Sequence, residues 1–161
     1  MSLGENTILL NDGHKMPLLG LGVYKADAGT EVEQAIQDAV CSGYRLIDTA
    51  SVYKNEDGVG RGLKALDVPR EELFITTKIW VTDMKTEETA YEAVKASLKR
   101  LNMDYADLIL LHQPMSDYFA AYRGLTKACK EGLTKAIGVA NFYPAILTNL
   151  CETVGITYTP V

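Results

Sequence analysis

Four side chains of this sequence could together manage a proton. Asp48 closes the apolar run that begins at Tyr44, and Tyr53 follows five residues later. Lys78 closes a second run, in Thr76-Thr77-Lys78, and His112 a third. A phenol has an ordinary pKa of ~10, too high for easy exchange near neutrality. A nearby ammonium favours the phenolate and lowers that value, and Lys78 can supply the charge. Asp48 can pair with Lys78, and His112 can hydrogen-bond to a substrate oxygen. A phenol poised this way is a general acid for a carbonyl being reduced, or a base for an alcohol being oxidised. Side chains cannot supply hydride, so such a reaction requires a nicotinamide cofactor.

These groups cooperate only if the chain brings them to one rim. Two apolar runs, Thr7 to Leu10 and Lys15 to Leu19, flank Asn11-Asp12-Gly13 and predict a β-hairpin. Leu18 to Tyr24 reads as a buried strand, with Gly20 and Gly22 where another backbone or a ligand comes close. Strands are then expected over Tyr44–Ala50, Leu73–Trp80, Ala106–His112 and Lys135–Ala140, with a sixth beginning at Ile156. Between them, apolar residues at helical spacing predict helices. The first opens on a capping-box signature, Thr30 with Glu33, and stops at Gly43. The others cover Asn55–Leu66, Glu87–Leu101 and Phe119–Lys130, and a last one starts at Pro144 and ends at Gly155. Strands alternating with helices imply parallel pairing. Chemistry in such folds sits at the C-terminal strand ends, where Asp48, Lys78, His112 and Asn141 all fall. A lone Asp there is ordinarily a helix cap, a lone Lys a solvated head, and a lone His a satisfied rim residue. Four strand ends bearing such groups make a site.

The 161 residues suffice for one domain with a real core, and no linker divides them. A net charge of −5 argues against nucleic acid or an anionic membrane as partner. No apolar run approaches the ~18 residues of a membrane span. The N-terminal residues are polar, without the apolar segment of a signal peptide. Cys41, Cys129 and Cys151 are too few and too widely spaced for a disulfide framework or zinc site, and read as reduced, buried thiols. A cytoplasmic protein without a metal is expected. Gly58-Val59-Gly60-Arg61-Gly62 lacks nucleotide-loop spacing, and Gly60 reads as a packing glycine.

Longer motifs carry a resemblance. Ile47-Asp48-Thr49-Ala50 with Tyr53, Asn55-Glu56 and Val59-Gly60 comes first, then Thr77-Lys78-Ile79-Trp80. Ser97-Leu98-Lys99-Arg100-Leu101, Asp104-Tyr105, Asp107-Leu108 and Leu111-His112-Gln113-Pro114 follow, and then Ala136-Ile137-Gly138-Val139-Ala140-Asn141-Phe142. In this order they resemble the aldo-keto reductase superfamily, from the hairpin to the sixth strand. The short loop after His112 is similar to bacterial members of the 2,5-diketogluconate reductase type. The resemblance implies an α/β fold, a (β/α)8 TIM barrel with an N-terminal β-hairpin, and NADPH-dependent reduction of an aldehyde or ketone. It implies Tyr53 as proton donor, Asp48 and Lys78 as its tuners, His112 as the group orienting the carbonyl, and Asn141 as holder of the nicotinamide carboxamide. Tyr24, Trp80 and Gln113 would line the substrate pocket.

Three departures qualify it. Ala140 stands where the family usually has Ser, removing a hydrogen bond to the carboxamide that is worth ~0.5–1.5 kcal/mol. Gln113 replaces a common Trp and makes that wall more polar. A closed barrel needs eight βα units and typically ~250 residues. Only about five to six units fit residues 1–161, so one incomplete barrel domain is expected. An unclosed sheet exposes edges and apolar surface, which favours self-association. Two other readings stay open: a non-catalytic nucleotide-binding or regulatory protein on the same scaffold, and an inactive fragment.

Overall fold

Alternation along the strands decides which side chains meet. The computed structural model describes residues 6–153 and 158–161. The hairpin is present, with β1 (Thr7–Leu9) antiparallel to β2 (Lys15–Pro17). A separate five-stranded sheet follows, formed by β3 (Gly20–Gly22), β4 (Leu46–Asp48), β5 (Phe74–Ile79), β6 (Ala106–Leu111) and β7 (Thr134–Val139). These strands lie side by side in chain order and pair in parallel throughout. Between them run α1 (Thr30–Cys41), α2 (Glu56–Lys64), α3 (Glu87–Leu101) and α4 (Tyr118–Lys130), and α5 (Pro144–Glu152) follows β7.

One set of strand residues faces the helices. Ile47 and Ile75 join Val32, Ile36 and Val59 of α1 and α2, while Ile79, Ile109 and Ile137 join Val94, Leu98 and Leu125 of α3 and α4. The alternate set, Leu46, Phe74, Leu108 and Ala136, forms a layer covered by Leu10 and Met16 of the hairpin and by Val161. Being covered on both faces explains why β6 reads as an apolar run broken only at Asp107. One turn further along the inner face come Asp48, Lys78 and, past the end of β6, His112.

Several expectations need correction. The segment before Tyr24 is not a buried strand. Only three residues pair, and Leu18 and Leu19 are 61% and 47% exposed. They lie at the edge of the sheet, where β3 has a single neighbour among the described residues. Gly20 does approach Leu46, but Gly22 faces open space. The capping box of α1 does not form. The cap residue is Gly29 without a side-chain bond, Thr30 lies inside the helix, and Glu33 pairs with Arg61 of α2 at 2.7 Å. A real capping box opens α3, between Thr86 and Thr89. Cys41 and Cys151 are exposed and Cys129 half-buried, so the thiols are not core residues. Gly155 and the start of the sixth strand lie outside the described residues. Tyr158–Val161 are not strand, although the Val161 N–H donates to Ile137 O at 3.2 Å. Among the described residues no helix is long and apolar enough to cross a membrane.

Gly60 is the packing glycine expected. A Cβ there would collide with the backbone carbonyl groups of Leu101 and Arg100 at the end of α3. Backbone cannot yield as a flexible side chain can, so Gly60→Ala should lower stability by about 1–3 kcal/mol. Gly22→Ala should change it by less than about 0.5 kcal/mol. Urea unfolding of the two variants checks the contrast.

Candidate active site

The site begins with a lysine that has little access to water. Lys78, 8% exposed, reaches from β5 across the inner face to β4. Its Nζ lies 2.7 Å from each carboxylate oxygen of Asp48 and 2.9 Å from Thr49 O. Three acceptors match the three ammonium protons. The pairing of Asp48 with Thr76 in the β4–β5 register puts Lys78 one inward position further along.

After β4 the chain makes a single 3-10 turn, Ser51–Tyr53, and leaves it through Lys54 in the left-handed region. This turn brings the Tyr53 ring over the ion pair, with Lys78 Nζ 5.3 Å from its centroid. Tyr24 packs on one side of Tyr53 at 4.9 Å between centroids. His112 meets it edge-on at 5.8 Å, and Trp80 meets His112 at 5.1 Å. Asn141, left-handed at φ 63° just beyond β7, donates from Nδ2 to His112 O at 2.8 Å. Its Oδ1 accepts no hydrogen bond among the described residues. The fold therefore assembles Asp48, Tyr53, Lys78, His112, Tyr24, Trp80 and Asn141. Gln113 is half-buried beside His112, but its side chain joins none of these contacts. An open depression of about 430 Å³, lined by Val52, Lys54, Trp80 and Thr82, adjoins the cluster. A cleft of about 300 Å³ between α2 and α3, lined by Leu63, Val68 and Met103, holds none of the cluster's groups.

The electrostatics reverse one expectation. The Tyr53 phenol is held above its ordinary pKa, first by burial, then by the charge of Asp48 and by Tyr24. The Lys78 ammonium, 5.3 Å from the ring centroid, does not offset these effects. The phenol thus keeps its proton through neutral pH. His112 is shifted below its ordinary 6.5, chiefly by burial and then by the Lys78 charge, against a smaller opposing effect of Asp48. A neutral imidazole offers one donor and one acceptor. Among the described residues its buried Nδ1 has no hydrogen-bond partner. Chemically, the rim holds a protonated phenol, a neutral imidazole and a fixed ion pair.

Sequence reasoning assigned no role to Asn55 and Glu56, both 1% exposed. Asn55 holds Thr49, Val23 and Ala26 together. Glu56 accepts from Thr77 Oγ1 at 2.6 Å and from Arg100 Nε at 2.7 Å. An Asn followed by Glu at a helix start is ordinary cap composition, so residue types alone gave no signal.

A parallel sheet of βα units with a polar rim at its strand ends is part of an α/β barrel. The chain belongs to the aldo/keto reductase family, whose model matches residues 19–158. It is 50% identical over 153 residues to methylglyoxal reductase DkgA of Salmonella typhimurium, covering 93% of this chain and 54% of that protein. It is 48% identical over 139 residues to glyoxal reductase of Bacillus subtilis, covering 86% and 50%. An aldo/keto reductase from Brucella melitensis superposes with TM-score 0.90 at 40% identity, over 96% of this chain and 60% of that one. The Bombyx mori aldo-keto reductase in complex with NADP gives TM-score 0.87 at 37% identity, over 96% and 56%. The chain spans about half the length of the curated relatives it matches.

The lowered His112 value sets a sign for pH dependence. Between that value and 6.5 the unfolded chain binds more protons than the folded one. The contribution of His112 to stability is therefore complete above about pH 6.5 and is lost as the pH falls through the folded value. Urea midpoints measured from pH 8 to pH 5 should fall less in His112→Gln than in the parent protein. Equal slopes in both would mean that His112 is not shifted.

Proposed function

We propose that the protein reduces the carbonyl of a small aldehyde or ketone with NADPH, and that Tyr53 gives the proton. The observation that carries this is the placement of one protonated phenol against the Asp48–Lys78 pair and the His112 imidazole at a single rim. Relatives named methylglyoxal and glyoxal reductases support a small dicarbonyl as substrate. The NADP complex of a structural neighbour supports the cofactor. We take residues 1–161 as one domain contributing the first part of the barrel.

Residues of this chain fit the nicotinamide end of such a cofactor. Asn141 has an amide anchored on His112 O and an uncommitted Oδ1 that can accept from a carboxamide N–H. When bound, the cofactor supplies the hydride that no side chain can. Tyr24 and Trp80 form apolar walls around the reacting carbonyl. The neutral imidazole of His112 donates a hydrogen bond to the carbonyl oxygen and fixes its direction. As negative charge grows on that oxygen, the Tyr53 hydroxyl transfers its proton to it, and the alcohol forms. The phenolate left behind faces the Lys78 ammonium, which stabilises it, while Asp48 holds Lys78 in place. A raised resting pKa suits this order. The proton stays on Tyr53 until the substrate oxygen becomes the stronger base.

NADPH oxidation by the purified protein with methylglyoxal tests the assignment. Tyr53→Phe keeps the ring but removes the proton, and should slow turnover by about 10²- to 10⁴-fold. Equal rates in the two proteins would rule Tyr53 out as the acid.

A further inference from the structure

We propose that Asn55 is a positioning residue that sets where the acid stands. Its side-chain amide fastens the two strand-end segments that bear Tyr24 and Asp48 to the turn that carries Tyr53. This rests on the reading of the site as a carbonyl reductase.

Asn55 occupies the N-cap position of α2, where an asparagine side chain ordinarily accepts from a backbone N–H of the first helical turn. It does not do so, and α2 has no side-chain cap. The amide turns inward, where the residue is 1% exposed. Nδ2 donates to Val23 O at 2.9 Å and to Ala26 O at 3.1 Å. Carbonyl oxygens can only accept, so these two bonds fix which end of the amide is nitrogen. Oδ1 accepts from the Thr49 hydroxyl at 2.9 Å. Three of its four hydrogen-bonding capacities are used, in a place where an unused one is costly.

Each partner leads to the site. Val23 and Ala26 bracket Tyr24, whose ring lies 4.9 Å from that of Tyr53. Thr49 follows Asp48, and its carbonyl is the third acceptor on Lys78 Nζ. Asn55 itself stands two residues after Tyr53, across the left-handed Lys54. One buried amide therefore couples the aromatic neighbour of the acid, the backbone support of the lysine and the turn that carries the acid. The helix forgoes a side-chain cap to keep this arrangement. No other residue type of this size offers two donors and one acceptor in a plane. Asp would set carboxylate oxygens against two carbonyls, and Leu would leave the Ala26 carbonyl and the Thr49 hydroxyl without their bonds, with Val23 O keeping only the Ala26 N–H.

The test combines NMR of the rings with kinetics. In Asn55→Ala, nuclear Overhauser contacts between Tyr24 and Tyr53 should vanish. Those between Tyr118 and Phe142, whose centroids lie 5.3 Å apart behind the site, should persist. The kcat for NADPH-dependent reduction should fall about 10- to 100-fold, as for a misplaced reacting group. The KM for NADPH should change less than about threefold. Retained Tyr24–Tyr53 contacts with unchanged kcat would overturn the proposal, as would a rise in KM alone. If Asn55→Ala loses both ring pairs, Thr49→Val decides. It removes one hydroxyl, and a reduced kcat with the Tyr118–Phe142 contact intact supports the proposal, whereas unchanged kcat overturns it. If the parent protein shows no reductase turnover, the proposed function fails by itself. Selective loss of the Tyr24–Tyr53 contacts would then still uphold the positioning role of Asn55.

Discussion

Lys78 carries its ammonium into a part of the fold with little water, and three oxygens receive it there. A buried charge of this kind is tolerable only when it is fully paired, because leaving it unpaired costs several kcal/mol. The pairing depends on register. Asp48 must lie beside Thr76, Lys78 must be the next inward residue of β5, and the Thr49 carbonyl must turn toward it. A slip of one residue between β4 and β5 would point Lys78 into the helix layer. The ion pair and the apolar layer of Leu46, Phe74, Leu108 and Ala136 therefore demand the same alignment.

Around this pair the polar residues divide the work. Thr77, the neighbour of Lys78, points to the helical side and donates to Glu56, which also accepts from Arg100 of α3. Strand β5 is thus held on one face by Asp48 and on the other by Glu56. Asp48 ends β4 and Glu56 opens α2, and Tyr53 lies in the stretch between them. That stretch can present a phenol above the ion pair because its flanks are anchored to strands and helices already in place. His112 and Trp80 need less support, since each follows directly from a buried strand.

The sequence made much of this visible. Ala106–Leu111 is apolar but for Asp107 because helices cover one face and neighbouring strands and side chains the other. Glu87–Leu101 shows the spacing of a helix packed on one side, and both elements stand where the pattern puts them. The rim was legible because Asp48, His112 and Asn141 each end an apolar run and Lys78 stands near the end of a β-branched and aromatic one. Leu18 and Leu19 were misleading, since apolar type does not reveal that β3 has a neighbour on one side alone. Thr30 and Glu33 had cap spacing, but a long-range ion pair with Arg61 claims Glu33. The rise in the Tyr53 pKa depends first on burial and then on the nearness of Asp48 and Tyr24, which no spacing encodes. Asn55 was hidden because its composition is that of a cap and its contacts are with residues 23, 26 and 49.

A double-mutant cycle on the ion pair tests the account most directly. Asp48→Asn, Lys78→Met and the double variant would be compared by kcat/KM for NADPH-dependent reduction of methylglyoxal. If Asp48 acts by holding Lys78 beneath the Tyr53 ring, the double variant should be little worse than Lys78→Met. The coupling should then be about 1–3 kcal/mol. Effects that add to within about 0.5 kcal/mol would mean that the two residues act independently, and would contradict the account.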